Sequence, residues 1–145
     1  MSGRLRQVAR ALPTRQNGRM TTTVNATDVL ARMIGAIESG DLELMRSLYA
    51  PGAVVWTCFD DQEREVDSAM RVVEWLVGAT TERRYEVTRR VEIEGGALQQ
   101  HVLHGTTPTG RTFAMPACLV VRVEGELVTR IDEYLDPKPV LGALG

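Results

Sequence analysis

A chain of 145 residues with 43% hydrophobic and 25% charged residues is typical of a single globular domain with one buried core. No run of about 18 apolar residues occurs, so we expect no membrane-spanning helix and no membrane partner. Residues 1–20 carry five arginines and no acid, which leaves 12 basic and 19 acidic residues in the remainder, and so acidic a globular part argues against nucleic-acid binding.

The charge asymmetry also suggests how the chain is divided. We interpret residues 1–22 as a disordered basic leader, residues 23–140 as the folded domain and residues 141–145 as a short tail. The leader lacks the apolar segment of a secretory signal, so a cytoplasmic protein is expected. A transit-like or nucleic-acid-contacting tail, and a natural start at Met20, remain open alternatives.

The two cysteines give no sign of a metal site. Cys58 and Cys118 are far apart and form no CxxC motif, and two cysteines with two histidines at these spacings make no zinc signature. Reduced thiols are therefore expected, with no metal and no organic cofactor.

Apolar stripes at helical spacing predict three helices, over residues 27–39, 42–49 and 67–78. A short strand is predicted at 54–56, and a polar loop at 60–65.

The second half of the chain alternates apolar and polar residues. Strands are predicted over 85–93, 97–105, 113–123 and 127–135, the last two joined by a turn at Gly125. Three early helices followed by four long strands indicate an α+β fold, with the helices on one face of a mostly antiparallel sheet.

Two segments carry a family resemblance. IESGDLELMRSLYAPGAVV (37–55) resembles the helix–helix–strand opening of the SnoaL-like, or nuclear transport factor 2-like, superfamily, and LVTRIDEYLD (127–136) resembles its closing strand. The resemblance implies a cone in which a curved sheet wraps the helices around an apolar pocket. It also implies a homodimer formed through the outer face of the sheet.

The catalytic patterns of two relatives match this chain incompletely. The ketosteroid isomerases place their essential groups near Thr57, Met33 or Ile34, and Ala117, where no side chain suits that chemistry. The limonene-epoxide hydrolases are similar at the end of the chain, where their strand carboxylate corresponds to Glu133. Their Arg-x-Asp partner falls at Val102 and His104, and their water-holding residues fall at Val55 and Thr57.

Glu133 is the charged residue on the apolar side of the last strand, and it is the first candidate for a catalytic group. If Leu98 and Val102 face inward, His104 does too, and a His104–Glu133 pair would transfer protons near neutral pH. A shift of one residue in the strand phase would make Asp132 the pocket acid instead.

The predicted pocket walls are mostly apolar, as is usual for small-molecule sites, although core packing is an equally good interpretation of each residue. Arg89 is interpreted either as an inward cation that pairs with Glu133 or as the mark of a bulge or of the sheet edge. The proposed lining residues are Trp56, Phe59, Trp75, Arg89, Gln100, Val102, Met115, Ala117 and Ile131.

The sequence therefore predicts an acid/base enzyme, of isomerase, hydrolase, dehydratase or cyclase type, that acts on an apolar oxygenated small molecule. The alternative is a non-catalytic ligand-binding or dimerisation module of the same fold.

Overall fold

The computed structural model describes residues 14–16, 19–21 and 24–144. Its helices are α1 (Ala26–Ser39), α2 (Leu42–Ser47), α3 (Val66–Ala79) and α4 (Lys138–Leu144). Its strands are β1 (Thr14–Gln16), β2 (Arg19–Thr21), β3 (Tyr49–Thr57), β4 (Gln62–Glu65), β5 (Glu82–Ile93), β6 (Gly96–Thr106), β7 (Thr112–Glu124) and β8 (Leu127–Leu135).

Six of these strands form one sheet in the order β4-β3-β8-β7-β6-β5. Only the β3–β8 pair is parallel among the described strands of this sheet, and the other neighbours are antiparallel. The predicted α+β class, with early helices and a mostly antiparallel sheet, is confirmed.

The two faces of the sheet differ in what covers them. We call the face that packs against α1 and α3 the inner face, and the opposite face the outer face. The main core lies between the inner face and the helices, and its most deeply buried side chains include Val29, Leu30, Val121 and Val128. A second cluster, around Leu103, Phe113, Met115 and Val140, lies where α4 packs against β7.

Several local predictions differ from the structure. The predicted polar loop at 60–65 contains β4, which pairs with β3 through residues such as Arg64 and Val55. The second helix ends at Ser47, and β3 begins at Tyr49, so the strand includes the proline and glycine that were expected to separate them. Gly52 has a positive φ, and the register of β3 with β8 shifts between Tyr49 and Val54. The predicted leader lies mostly outside the described residues, apart from the antiparallel pair β1–β2.

Arg83 joins the ends of two helices to the sheet. Its guanidinium donates to the carbonyl oxygens of Ile37 at 3.0 Å and Glu38 at 3.2 Å, at the end of α1. It also donates to the carbonyl oxygens of Val77 at 3.2 Å and Thr80 at 3.1 Å, at the end of α3. A cation is favourable at these positions because the last carbonyl groups of a helix lack partners and carry partial negative charge.

A β-bulge at Thr88 divides β5 into two phases. Val87 pairs with His101 and Arg89 pairs with Gln100, so Thr88 is an extra residue without an opposite partner. The odd-numbered residues of β5 face inward before the bulge, and the even-numbered residues face inward after it. Bulges bend and twist a strand, so Thr88 contributes to the curvature of the sheet edge.

Candidate active site

Glu133 lies on the inner face, near the middle of the sheet. Its neighbours across β8 are Leu119 on β7 and Thr57 on β3, both buried. Asp132 lies on the outer face, where it accepts a hydrogen bond from Arg130 Nε at 2.8 Å. The alternative in which Asp132 is the pocket acid is therefore wrong, because the strand phase directs Glu133 inward.

The carboxyl group of Glu133 has unusual electrostatics. Burial raises its pKa to about 7, and the positive charge of Arg64 offsets part of this rise. Its carboxyl oxygens form no hydrogen bond or ion pair with any of the described residues. An inward carboxyl without a structural partner is free to interact with a bound molecule.

Arg64 is held near Glu133 by the β3–β4 turn. Its guanidinium forms an ion pair with Asp60 and donates to Thr57 Oγ1 at 2.9 Å, while Thr57 Oγ1 donates to Asp60 at 2.5 Å. These hydrogen bonds, with that of Arg64 first, lower the pKa of Asp60 to about 2. The ionised Asp60 therefore fixes the cation that moderates the pKa of Glu133.

Two tyrosines, Tyr49 and Tyr85, lie close enough to Glu133 for its charge to affect them. Burial, with the negative charge of Glu133 as a smaller cause, raises the pKa of Tyr49 and of Tyr85, so both phenols remain protonated at neutral pH. Neither hydroxyl has a hydrogen-bond partner among the described residues.

The missing partners show that these groups border open space. Among the described residues, every side-chain nitrogen or oxygen that is sealed from solvent has a hydrogen-bond partner. The carboxyl of Glu133 and the hydroxyls of Tyr49 and Tyr85 have none, so each keeps some solvent-accessible surface. We call the region of the inner face around these three groups the inner cleft.

The predicted pairing of His104 with Glu133 is wrong. His104 lies on the outer face together with Gln100 and Val102, and its Nε2 lies 2.7 Å from the carboxylate of Glu86. The prediction failed because it assumed that Val102 and Leu98 face the core. In the structure Leu98 and Val102 are apolar residues of the outer face, and the inner face of β6 carries the buried polar residues Gln99 and His101 beside Ala97 and Leu103.

His101, and not His104, is the histidine of the inner face, although the sequence favoured the outer face for it. It is 5% exposed, and its Nδ1 lies 2.9 Å from Nε2 of the fully buried Gln99. Gln99 Oε1 accepts a hydrogen bond from Arg90 Nε at 2.7 Å. The His101 ring also packs edge-on against Tyr85, with ring centroids 4.8 Å apart.

The sequence of β6 is compatible with either of two strand phases, and one of them directs Gln99 and His101 inward. In β6 the alternation of Ala97, Gln99, His101 and Leu103 predicts one face as well as the alternation of Leu98 and Val102 does. Alternation alone could not choose between the two phases, because both contain apolar and polar residues.

Besides Gln100 and Val102, four predicted lining residues lie away from the inner cleft. Arg89 faces outward beside the bulge, which agrees with the second of its two predicted roles. Trp56 lies on the outer face, where it packs edge-on against Tyr134. Phe59 is 50% exposed in a turn, and Trp75 is 47% exposed on the side of α3 opposite its packed residues.

Three predicted lining residues do face inward. Ile131 belongs to the main core, Met115 belongs to the second cluster, and Ala117 pairs with His101 on the inner face.

Two surface cavities lie apart from these groups. One of about 370 Å³ lies at the ends of β5, β6 and β7 and includes Arg84 and His104. The other, of about 580 Å³, lies between the turn before β7 and α4. Neither includes Glu133. The described part of the chain contains no cluster of three or more metal-ligating side chains and no helix long and apolar enough to cross a membrane.

Comparison with known proteins identifies the family. The sequence profile of the SnoaL-like domain matches residues 30–131, most of the chain. The chain belongs to the SnoaL-like family. The matched region ends two residues before Glu133, so the match itself assigns no role to that carboxyl.

Solved structures agree with this fold. The chain is similar to wild-type IdmH of Streptomyces antibioticus, described as a candidate polyketide cyclase, with 24% identity and a TM-score of 0.73 over 84% of this chain and 99% of that one. It is also similar to an epoxide hydrolase of M. tuberculosis that resembles limonene-epoxide hydrolase, with 12% identity and a TM-score of 0.67 over 82% and 88% of the two chains.

A third similar structure is a protein of Catenulispora acidiphila with a ketosteroid isomerase-like fold, at 15% identity and a TM-score of 0.68 over 81% and 92% of the two chains. No curated protein sequence matches the chain. At these identities the structural similarity establishes the fold alone.

Proposed function

We propose that this SnoaL-like protein is an acid/base enzyme whose inner cleft binds an apolar, oxygenated small molecule. Glu133 is the proton-transfer group. The observation that carries the proposal is the inward carboxyl of Glu133, which has no hydrogen-bond partner among the described residues and has a pKa raised to about 7 by burial. Carboxyl groups with such pKa values in clefts are frequent at catalytic sites.

A pKa near 7 suits general acid/base catalysis. At neutral pH both forms of Glu133 are populated, so the group can accept a proton from a bound molecule and later return it. The hydroxyls of Tyr49 and Tyr85 can donate hydrogen bonds to the substrate oxygen. These groups suit isomerisation, dehydration, cyclisation or water addition, and the residues of the cleft supply the proton donor and acceptor for each.

The names of the similar structures are consistent with this range. A candidate polyketide cyclase and an epoxide hydrolase both share the fold, and the proposal takes from them only the class of small-molecule chemistry.

Proton transfer can be tested before the substrate is known. The protein is incubated in D₂O with a panel of apolar ketones, and NMR spectroscopy measures the exchange of the C–H groups next to the carbonyl. We expect the protein to accelerate exchange for at least one ketone, and Glu133→Gln to remove that acceleration while the ketone still binds. Glu126→Gln, in the exposed β7–β8 turn, is the matched control and should exchange like the unchanged protein.

The alternative is a binding module that performs no chemistry. It would be supported if ketones bind but none exchanges faster. Accelerated exchange that persists in Glu133→Gln would instead exclude Glu133 as the proton-transfer group.

We further propose that two copies of the chain associate through the outer face of the sheet. This face carries a group of partly exposed apolar side chains on neighbouring strands, namely Val91, Leu98, Val102, Pro116, Val120 and Tyr134. Exposed contiguous apolar area on a sheet is typical of an interaction surface.

A further inference from the structure

The inner cleft contains a second polar group whose hydrogen-bonding role is fixed by its neighbours. Arg90, Gln99 and His101 form a chain of hydrogen bonds along the inner face of β5 and β6. The direction of each hydrogen bond can be worked out from the first member, because an arginine side chain can only donate.

Arg90 determines the orientation of the Gln99 amide. The atom of Gln99 that lies 2.7 Å from Arg90 Nε must be the acceptor oxygen, Oε1. The amide NH₂ therefore points to His101, where Nε2 of Gln99 lies 2.9 Å from Nδ1. Because the NH₂ group donates, Nδ1 must accept, and the proton of a neutral imidazole lies on Nε2.

The environment keeps this imidazole neutral. Burial, with the positive charge of Arg90 as a smaller cause, lowers the pKa of His101 to about 4. His101 thus carries one proton at neutral pH, and the hydrogen bond from Gln99 places it on Nε2.

The Nε2–H group borders the inner cleft. His101 is a buried residue whose described hydrogen bond uses Nδ1 alone, and every sealed side-chain nitrogen or oxygen among the described residues has a partner. Nε2 therefore reaches open space. Its ring packs against Tyr85, and Glu133 is near enough to Tyr85 for its charge to raise the pKa of that hydroxyl. The three residues therefore lie near one another on the inner face.

The spacing leaves room for a ligand between His101 and Glu133. Their strands, β6 and β8, are separated by β7, and the two residues are offset by one inward position along the sheet. With neighbouring strands about 4.8 Å apart, their Cα atoms are roughly 10–12 Å apart. A small molecule can therefore contact both side chains at once.

We propose that His101 donates a hydrogen bond from Nε2 to an acceptor oxygen of the bound molecule, and that Arg90 and Gln99 are positioning residues that fix this tautomer. The inference rests on the proposed function in that both place the ligand in the inner cleft. It adds a specificity: the oxygen that contacts His101 is one that accepts a hydrogen bond, as in a ketone.

The chain is well suited to a direct test because it contains only two histidines. Long-range ¹H–¹⁵N NMR correlations on the ¹⁵N-labelled protein report which ring nitrogen of each carries the proton. We expect His101 to be protonated on Nε2 alone between pH 5.5 and pH 8. His104, on the outer face beside Glu86, gives the reference spectrum. Protonation of His101 on Nδ1 would overturn the proposal.

Two matched variants test the positioning role. In Gln99→Glu the new carboxylate can only accept, so at pH 8 the imidazole proton should move to Nδ1. Gln100→Glu makes the same change at the next residue, on the exposed outer face, and should leave the tautomer unchanged. An unchanged tautomer in Gln99→Glu would show that Gln99 does not set it.

The donor role is tested with two probes of similar shape, 1-acetylnaphthalene and 1-ethylnaphthalene, which differ in the carbonyl oxygen. We expect the ketone to shift the His101 Nε2 signal and to bind about tenfold more tightly, the magnitude of one hydrogen bond, with the difference lost in Gln99→Glu. Equal affinities, or an unshifted signal at saturating ketone, would overturn the donor role.

The same measurements in Glu133→Gln separate this inference from the proposed function. If Glu133→Gln loses proton exchange but keeps the Nε2–H tautomer and the ketone preference, both proposals stand. If the unchanged protein exchanges no ketone but shows this tautomer and preference, His101 remains a binding group and the proposed proton transfer by Glu133 is wrong.

Discussion

Arg83 Nε donates a hydrogen bond at 3.0 Å to the carbonyl oxygen of Ile37, and the same guanidinium reaches the end of α3. Replacing Arg83 by Met would leave partly buried carbonyl groups of two helices without a donor. We expect the free energy of unfolding, measured in urea, to fall by about 2–4 kcal/mol. Arg84→Met, on the exposed outer face, is the control and should change it by less than about 0.5 kcal/mol. Equal effects would show that the helix-end contacts contribute little.

Gly105 on β6 lies directly under the ring of its β7 partner, Phe113. A Cβ atom at Gly105 would lie 2.2 Å from Phe113 Cζ, so Gly105→Ala must displace the ring from the second cluster. We expect a loss of about 1–3 kcal/mol in thermal or urea unfolding. Gly35→Ala in α1 is the counterpart, since nothing lies within 4 Å of the added atom. It should raise stability by up to about 1 kcal/mol, and a loss there would contradict the described helix environment.

The raised pKa of Glu133 predicts a pH-dependent stability. Its pKa of about 7 in the folded protein, against 4.5 for the ordinary group, means that ionisation opposes folding. The stability due to the protonated carboxyl is complete below about pH 4.5 and is lost as the pH rises to about 7. Glu133→Gln should therefore be more stable than the unchanged protein at pH 8, by at most about 3 kcal/mol, with the difference absent at pH 4.

Urea unfolding at several pH values measures this difference. Glu126→Gln, an exposed residue of the β7–β8 turn, should show no such trend. A stability difference between Glu133→Gln and the unchanged protein that is the same at pH 4 and pH 8 would contradict the raised pKa.

The proposed dimer can be broken by placing charge on the outer face. Val102→Asp introduces a carboxylate among the apolar side chains of that face, and we expect the mass measured by light scattering to fall from that of a dimer to that of a monomer. Val72→Asp makes the same change on α3, where the side chain is 52% exposed, and should leave the mass unchanged. A monomeric unchanged protein would exclude the dimer.

Much of the fold could be predicted from the sequence because its periodic signals are strong. The hairpin of β7 and β8 has apolar residues at every second position and a glycine with positive φ at Gly125, so its inward face from Ile131 to Leu135, including Glu133, could be predicted. Near the turn the prediction of Leu127 is wrong, because a register shift beside Val123 directs Val128 inward. The short β4 could not, since QERE has neither apolar alternation nor β-branched residues.

The candidate site could be predicted only in part, for a physical reason. In β6 two of the buried positions are occupied by the polar residues Gln99 and His101, whose burial is offset by their hydrogen bonds to each other and to Arg90. The partner Arg90 faces inward because of the bulge in β5, and the alternation within one strand cannot predict such a contact between strands. Tyr85 could not be predicted for the same reason, since its contact with His101 depends on the pairing of β5 with β6.

The bulge at Thr88 bends the edge of the inner cleft without deciding which residues of β5 and β6 lie opposite each other. Without Thr88, a regular β5 would still place Val87 opposite His101, Arg89 opposite Gln100 and Arg90 opposite Gln99. Loss of a single codon would therefore preserve every pairing along this edge and relax only its bend. Evolution, or a protein engineer, can thus change the width of the ligand space in one step without replacing any of the groups that line it.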